Sequence, residues 1–254
     1  MENMEKQTSE GLKLINISPH MDNLYNTVIP AMGHSTIDAI ADIVDNSLDA
    51  NADVIELHLN DFNKKSKQIL IIDNGNGMDE YSLVESYRFS TNAEHAQGDL
   101  GKYGVGGTTG CFTLAQTKQT LTRTEGKEVL YGVHDLLDGK GFQMGNANIE
   151  QKKMFDTFCP NGTGTIIILS NMRDLDCSRA GDLKNKIVKD FKHTFYSYLG
   201  QGRSIAVFVN GKKHAIKGVD PLYSHNSSLV EWQEKKDIFY KGNIITLRMV
   251  ILKM

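Results

Sequence analysis

Four segments carry side chains whose types and spacing could do chemistry. The first is the run Ile37–Ala50, IDAIADIVDNSLDA. Wound as a helix at about 100° per residue, it places Asp38, Asp42, Asp45, Asn46 and Asp49 within about a third of its circumference. Ile37, Ile40, Ala41, Val44 and Leu48 take the other side. The carboxylates repel one another, and no lysine or arginine lies four residues away to relieve them. A divalent cation would relieve that repulsion, and oxygen ligands suit Mg²⁺. Taken alone, the stripe also reads as the solvated face of an amphipathic helix.

The second segment is Asp73-Asn74-Gly75-Asn76-Gly77-Met78, directly after the apolar run ILII. A carboxylate at a strand end accepts from an exocyclic amine, and glycines let the backbone approach a flat polar ring closely. The same residues also make good turn chemistry. The third is Gly101-Lys102-Tyr103-Gly104-Val105-Gly106-Gly107-Thr108-Thr109-Gly110. Glycines leading into a helix N-terminus turn free backbone N–H groups toward an anion, and the helix dipole favours negative charge there. The spacing is neither that of the Gly-x-x-x-x-Gly-Lys-Ser/Thr phosphate loop nor that of a dinucleotide fold. A flexible glycine loop is the competing reading. The fourth, Gly162-Thr163-Gly164-Thr165, opens a strand and is weak by itself.

The elements that must hold these residues follow from periodicity. A helix is expected from about Ser35 to Ala50, capped by Ser35 or Thr36, with Asp38 favouring its dipole. Residues 52–60 and 67–73 read as strands of a hairpin. A short helix is expected over 79–89, a mobile polar loop over 90–103, and a helix over 105–115. Then KQTLTRT, KEVLYGVHDL and KGFQMGNANIE alternate like antiparallel strands, followed by GTIIILSN. A second amphipathic helix is expected over 180–199, and RSIAVFVNG and NIITLRMVILKM restart the strand pattern. Ending on an apolar strand without a closing turn, the chain reads as stopping inside a second domain.

The bulk properties fit one large domain or somewhat more. The 254 residues are 40% apolar and 23% charged, with four prolines and a net charge of −3. That balance announces neither a nucleic-acid nor a membrane partner, although net charge hides local asymmetry. Cys111, Cys159 and Cys177 are far apart and lack metal-ligand pairing, which suggests reduced thiols in a cytoplasm. No signal core and no run of about 20 apolar residues is present, so the reading is cytoplasmic with no membrane.

In order and spacing, the four segments together resemble the Bergerat-fold ATPases of the GHKL superfamily: DNA gyrase, a heat-shock chaperone, histidine kinases and MutL. The resemblance covers about residues 33–170. It implies an α/β sandwich, with helices on one face of a mixed, mostly antiparallel sheet. It implies ATP and Mg²⁺ as ligands, with Asn46 on the metal and Asp49 on the same stripe beside it. Asp73 would accept from the adenine amine, and Gly77 and Met78 would line the base pocket. Lys102, Tyr103, Gly104, Val105, Gly106 and Gly107 would cradle the phosphates under a lid over 90–103, with Thr165 supporting the adenine end. Within the superfamily, the likeness is closest to the microrchidia (MORC) ATPases and their bacterial relatives. It rests on His34-Ser35, on Ala39-Ile40-Ala41-Asp42-Ile43-Val44-Asp45-Asn46, on Tyr103-Gly104-Val105-Gly106 and on Gly164-Thr165-Ile166-Ile167-Ile168.

Two positions depart from the pattern. The general base is a glutamate in the family and Asp42 here, which leaves the carboxylate roughly an ångström further from the attacking water. The lysine that microrchidia proteins carry after the lid glycines is replaced by Thr108 and Thr109. Lys102 is a candidate substitute. The resemblance thus implies ATP hydrolysis that drives a conformational change or an ATP-dependent homodimer, with Asp42 as catalytic residue. The rival is an ATP-sensing dimerisation switch with negligible hydrolysis. The expected organisation is an N-terminal arm (1–18), the ATP-binding domain (19–178), and a linking helix with a partial transducer-like domain (179–254). A DNA or protein partner would engage regions outside this chain.

Overall fold

The structure is a computed structural model that describes residues 23–88, 106–220, 230–240 and 243–252. A π-helical turn, Leu24–Val28, runs into Ile29–Ala31. The helices that follow are α1 (Thr36–Asp49), α2 (Glu80–Glu85), α3 (Gly106–Leu114), α4 (Ile149–Phe158), α5 (Ala180–Thr194) and α6 (Tyr196–Leu199). The strands are β1 (Val54–Asn60), β2 (Gln68–Asp73), β3 (Ala115–Arg123), β4 (Leu130–Asp135), β5 (Phe142–Asn146), β6 (Gly164–Met172), β7 (Ser204–Val209), β8 (Lys212–Ala215), β9 (Val230–Tyr240) and β10 (Asn243–Leu252). The first eight form one sheet in the order β5-β4-β3-β6-β2-β1-β7-β8. Every neighbouring pair is antiparallel except β1 and β7.

Alternation along β1 and β2 explains the layering. Ile55, Leu57, Leu59, Ile69 and Ile71 point to one face, where they meet Ile40, Ile43 and Val44 of α1 and Leu183, Ile187 and Phe191 of α5. This helix-covered face carries the main core. Leu70 and Ile72 point the other way and meet Leu121, Ile166 and Phe155 of α4, so one helix covers part of the opposite face as well. Segment 140–150, which alternates like a strand, splits here. β5 ends at Asn146, and Asn148 caps α4 by accepting from the Gln151 N–H (2.9 Å) while Gln151 accepts from the Asn148 N–H (2.8 Å).

Ser35 caps α1 by accepting from the Asp38 N–H at 3.1 Å, and its hydroxyl donates to the Asp38 carboxylate at 2.7 Å. Thr36 instead faces inward, exchanging hydrogen bonds with Asp176. The helix expected over 180–199 breaks at Phe195 into α5 and α6, and both pack on the main core through Phe191, Phe195 and Tyr198. β7 and β8 extend the same sheet, while among the described residues β9 and β10 pair only with each other. Arg248 of β10 reaches back to Asp220 (2.7 Å) and to the Tyr196 hydroxyl (3.1 Å). The three cysteines are buried and free. Among the described residues, no helix is long and apolar enough to cross a membrane.

The reciprocal cap on α4 yields a direct stability test. Asn148→Ala should lower unfolding stability by about 1 kcal/mol, read as a shift in urea midpoint. An unchanged midpoint would mean that the tertiary contacts of Phe155 alone hold the helix.

Candidate functional site

The site begins where β2 ends. Asp73 is 5% exposed, and its carboxylate is held from two directions. Oδ2 accepts from the Ser47 hydroxyl of α1 at 2.9 Å, and Oδ1 accepts from the Gly75 N–H at 3.0 Å. Burial pushes its pKa up to about 6, against the opposing pull of Gly75, Ser47 and the Thr165 N–H. Burial is the larger effect, yet the carboxyl is still mostly ionised at neutral pH and so remains an acceptor.

Asp73 does not stand alone on the sheet. In register, it faces Thr165 of β6, and Thr165 faces Thr122 of β3. The Thr122 hydroxyl accepts from the Met78 N–H at 2.8 Å, donates to the Gly164 carbonyl at 3.1 Å, and lies 3.1 Å from the Thr165 hydroxyl. The glycine-bearing loop 74–78 is thereby pinned over the ends of three strands. Gly77 has φ +70°, and a Cβ there would sit 2.0 Å from the Arg123 carbonyl oxygen. Gly164 has φ +138°, and its Cβ would meet the Asp73 carbonyl at 2.2 Å. Side chains are excluded at both positions by backbone on the far side. The result is a buried acceptor ringed by backbone and hydroxyls, which suits an exocyclic amine on a flat base.

The second half of the site lies on α1. Asn46 is exposed, and its Nδ2 donates to the Asp42 carbonyl at 3.1 Å. A Cβ on Gly107 would come within 2.2 Å of that Nδ2, so the first turn of α3 runs directly against Asn46. Close packing continues at Gly110, whose Cβ would meet the Ala39 carbonyl at 2.6 Å. The carboxylates beside Asn46 crowd one another. The Asp45 pKa is pushed up to about 6 by burial, then by Asp42 and Asp49. The Asp42 pKa is raised by burial and by Asp38, against the pull of His34, whose Nδ1 is 3.9 Å from Oδ2. Among the described residues no three His, Cys, Asp or Glu side chains converge as a metal cluster, so this half of the site presents the Asn46 side chain against the first turn of α3, with the carboxylate stripe beside it.

Thr108 and Thr109 are buried, and the Thr108 hydroxyl donates to the Ser86 carbonyl at 2.9 Å. The expected lid over 90–103, with Lys102, Tyr103, Gly104 and Val105, lies outside the described residues, and Gly106 opens α3. The residues bordering that stretch meet at the Ser86 carbonyl, which also receives Lys118 of β3, a residue 3% exposed. Its Nζ donates to the same Ser86 carbonyl at 2.6 Å and lies 4.0 Å from the centre of the Tyr87 ring. Burial lowers its pKa. The Tyr87 hydroxyl is held by Thr120 (2.8 Å) and the Gly132 carbonyl (3.1 Å), and the Tyr87 carbonyl accepts from the Tyr25 hydroxyl (2.9 Å).

The structure therefore gathers Asp73, Gly77, Met78 and Thr165 at one end, and Asp42, Asp45, Asn46, Asp49 and Gly107 along α1 at the other. Sequence reasoning missed Ser47, Thr122 and Lys118. For Ser47 a signal existed: it follows Ile43 and Val44 on the buried arc of α1, where a hydroxyl needs a partner.

Residues 34–153 match the family model described as histidine kinase-, DNA gyrase B-, and HSP90-like ATPase. The match spans α1, the Asp73 loop and β3, and it supports the GHKL superfamily and the ATP binding that goes with it. No curated protein matches the chain.

The crowded stripe predicts a pH signature. The Asp45 carboxyl titrates near 6 in the folded protein and near 4 in an unfolded chain, so the folded state holds the extra proton between those values. Stability from this group is full below about pH 4 and is lost as pH rises through 6. Asp45→Asn should therefore melt higher than the parent at pH 8 without divalent cation, with the gap closing toward pH 4. A parent that melts higher at pH 8 would show that the carboxylate is stabilised there.

Proposed function

We propose that the chain, carrying a GHKL-type ATP-binding segment, binds ATP with Mg²⁺ and hydrolyses it slowly to ADP and phosphate, driving a conformational change or homodimerisation. The observation that carries the reading is the buried Asp73 carboxylate, oriented by Ser47 and Gly75 at the end of β2. It would accept from the adenine amine, with Thr165 behind it and Gly77 and Met78 against the base. Asn46 would hold Mg²⁺ through its side-chain oxygen, with Asp49 beside it, and Gly106, Gly107 and the preceding Lys102–Val105 would receive the phosphates. Bound there, the cation would neutralise charge on the phosphate oxygens.

Asp42 would orient the hydrolytic water and take its proton. Its raised pKa makes it a better base than a free carboxylate, and the His34 ring lies on its Oδ2 side. Its reach is shorter than a glutamate's, and α1 fixes its Cα. General-base assistance is worth about 10²–10⁴-fold, so a water held at longer range forfeits part of it. The second reading, an ATP-sensing switch with negligible turnover, is favoured by the same short side chain and by Thr108, which stands where microrchidia proteins carry a lysine and turns its hydroxyl inward to the Ser86 carbonyl. The MORC-like relationship rests on the motifs from His34 to Asn46 and on Gly164-Thr165. The linking helix and partial transducer-like domain would take in residues 179–254, where Trp232, Phe239, Ile244 and Ile251 stand exposed on the β9–β10 hairpin.

Asp73→Asn should weaken ATP binding by at least about tenfold, because an amide placed against the adenine amine loses an acceptor worth about 1–3 kcal/mol. Calorimetry that returns parental affinity would put the base elsewhere. Asp42→Asn should keep ATP affinity and stop phosphate release in single-turnover assays, while Asp42→Glu should accelerate it. Parental turnover in Asp42→Asn would remove Asp42 from the mechanism. No turnover in the parent or in Asp42→Glu, with ATP still bound, would select the switch.

A further inference from the structure

The helix-covered side of β3 carries polar groups where the neighbouring strands carry the core. Register sets Lys118 opposite Leu169, Thr120 opposite Ile167 and Thr122 opposite Thr165, so the three turn to the face that Leu169 shares with α1. All three are buried. Thr122 holds the loop after β2 and Thr120 holds the Tyr87 hydroxyl, each with a small neutral group. Lys118 is the exception. A neutral side chain could bind the Ser86 carbonyl at far lower cost in desolvation than a buried ammonium.

The charge has no anion of its own. Among the described residues no carboxylate pairs with Lys118, and its titratable neighbours are Cys111 of α3 and Tyr87. Burial pushes both of their pKa values up, so thiol and phenol stay neutral at neutral pH. The ammonium is held instead by the Ser86 carbonyl at 2.6 Å and by the face of the Tyr87 ring, whose centre is 4.0 Å from Nζ. The Thr108 hydroxyl donates to that same carbonyl, so the cation lies against the first turn of α3. That turn, Gly-Gly-Thr-Thr, has no charged side chain of its own, and its Gly107 abuts Asn46. Four residues of strand, about 13 Å, separate Lys118 from Thr122 under the loop after β2. The positive charge thus stands at the α3 end of the site, away from Asp73.

We propose that Lys118 is a specificity-determining residue of the nucleotide site, a buried cation that ranks ligands by their phosphates without touching them. The inference rests on the ATP reading above and gives that site its selectivity. The α3 dipole and the ammonium act in the same sense on an anion at the helix N-terminus. At roughly 10 Å and an effective dielectric of about 20, one unit of charge changes an anion's affinity on the order of tenfold. Salt screens this effect little, because the ammonium is buried. An uncharged nucleoside gains nothing from it.

The test is calorimetry with adenosine, ADP and a non-hydrolysable ATP analogue, each with Mg²⁺ present. In Lys118→Met and in Lys118→Gln the analogue should bind about tenfold more weakly, ADP should lose less, and adenosine should bind as it does to the parent. Lys118→Gln keeps a donor for the Ser86 carbonyl, so it separates the charge from the hydrogen bond. Both variants should melt no lower than the parent, since each removes a buried charge. Parental affinity for the analogue in either folded variant overturns the proposal. So does a loss shared equally by adenosine, which would mark Lys118 as a structural staple, and so does unfolding of both variants. A parent that binds none of the three ligands removes the ATP reading and this inference with it. Binding by the parent, with all three affinities unmoved or equally weakened in the variants, removes this inference alone.

Discussion

The contact between the Ser47 hydroxyl and the Asp73 carboxylate fastens the helix layer to the sheet at the place where both of their functional ends meet. A carboxylate buried to 5% exposure would be expelled or protonated without compensation, and Ser47, Gly75 and Thr165 supply it. Because Ser47 lies one residue beyond Asn46, the bond also sets the rotation of α1. The carboxylate stripe then runs along one side of the helix, with Ile40, Ile43 and Val44 locked into the core on the other. Loss of that single bond would loosen the loop after β2 and the carboxylate stripe of α1 together.

Around this contact, clearance is set by backbone at Gly77, Gly110 and Gly164 and by the Asn46 side chain at Gly107. Gly77, Gly107, Gly110 and Gly164 each lie where a methyl group would strike a carbonyl or an amide at 2.0 to 2.6 Å. These positions belong to three different segments, so the close approach is shared among the loop, α3 and β6. A site built this way is shaped before any ligand arrives, which lowers the ordering needed on binding.

Much of this was legible in the sequence where a local rule operates. The cap at Ser35, the apolar face of α1, the β1–β2 hairpin and the glycine entry to α3 follow from neighbours within one or two turns. The rest depends on residues brought together across long separations. Thr122 matters because of Thr165, 43 residues away, and Lys118 matters because of Ser86, 32 residues before it. In the text of the chain both look like ordinary polar residues of an alternating strand. α4 hid for a different reason: KGFQMGNANIE alternates convincingly, and only the Asn148-x-x-Gln151 pair marks where a helix begins. The contribution of α5, β7 and β8 to the same sheet and core was invisible because parallel pairing between β1 and β7 leaves no local trace.

That parallel pair has a consequence for how the protein is made. β1 lies between β2 and β7, yet β7 leaves the ribosome about 140 residues after β1. At about 5–20 residues per second, the backbone edge of β1 waits roughly seven to thirty seconds for its partner. During that interval the nascent chain can already form the β1–β2 hairpin and wind α1, but α5 has not arrived to cover them. Completion of the sheet therefore follows the order of synthesis, and the pace at which residues 60–204 are translated sets how long the β1 edge stays unpaired.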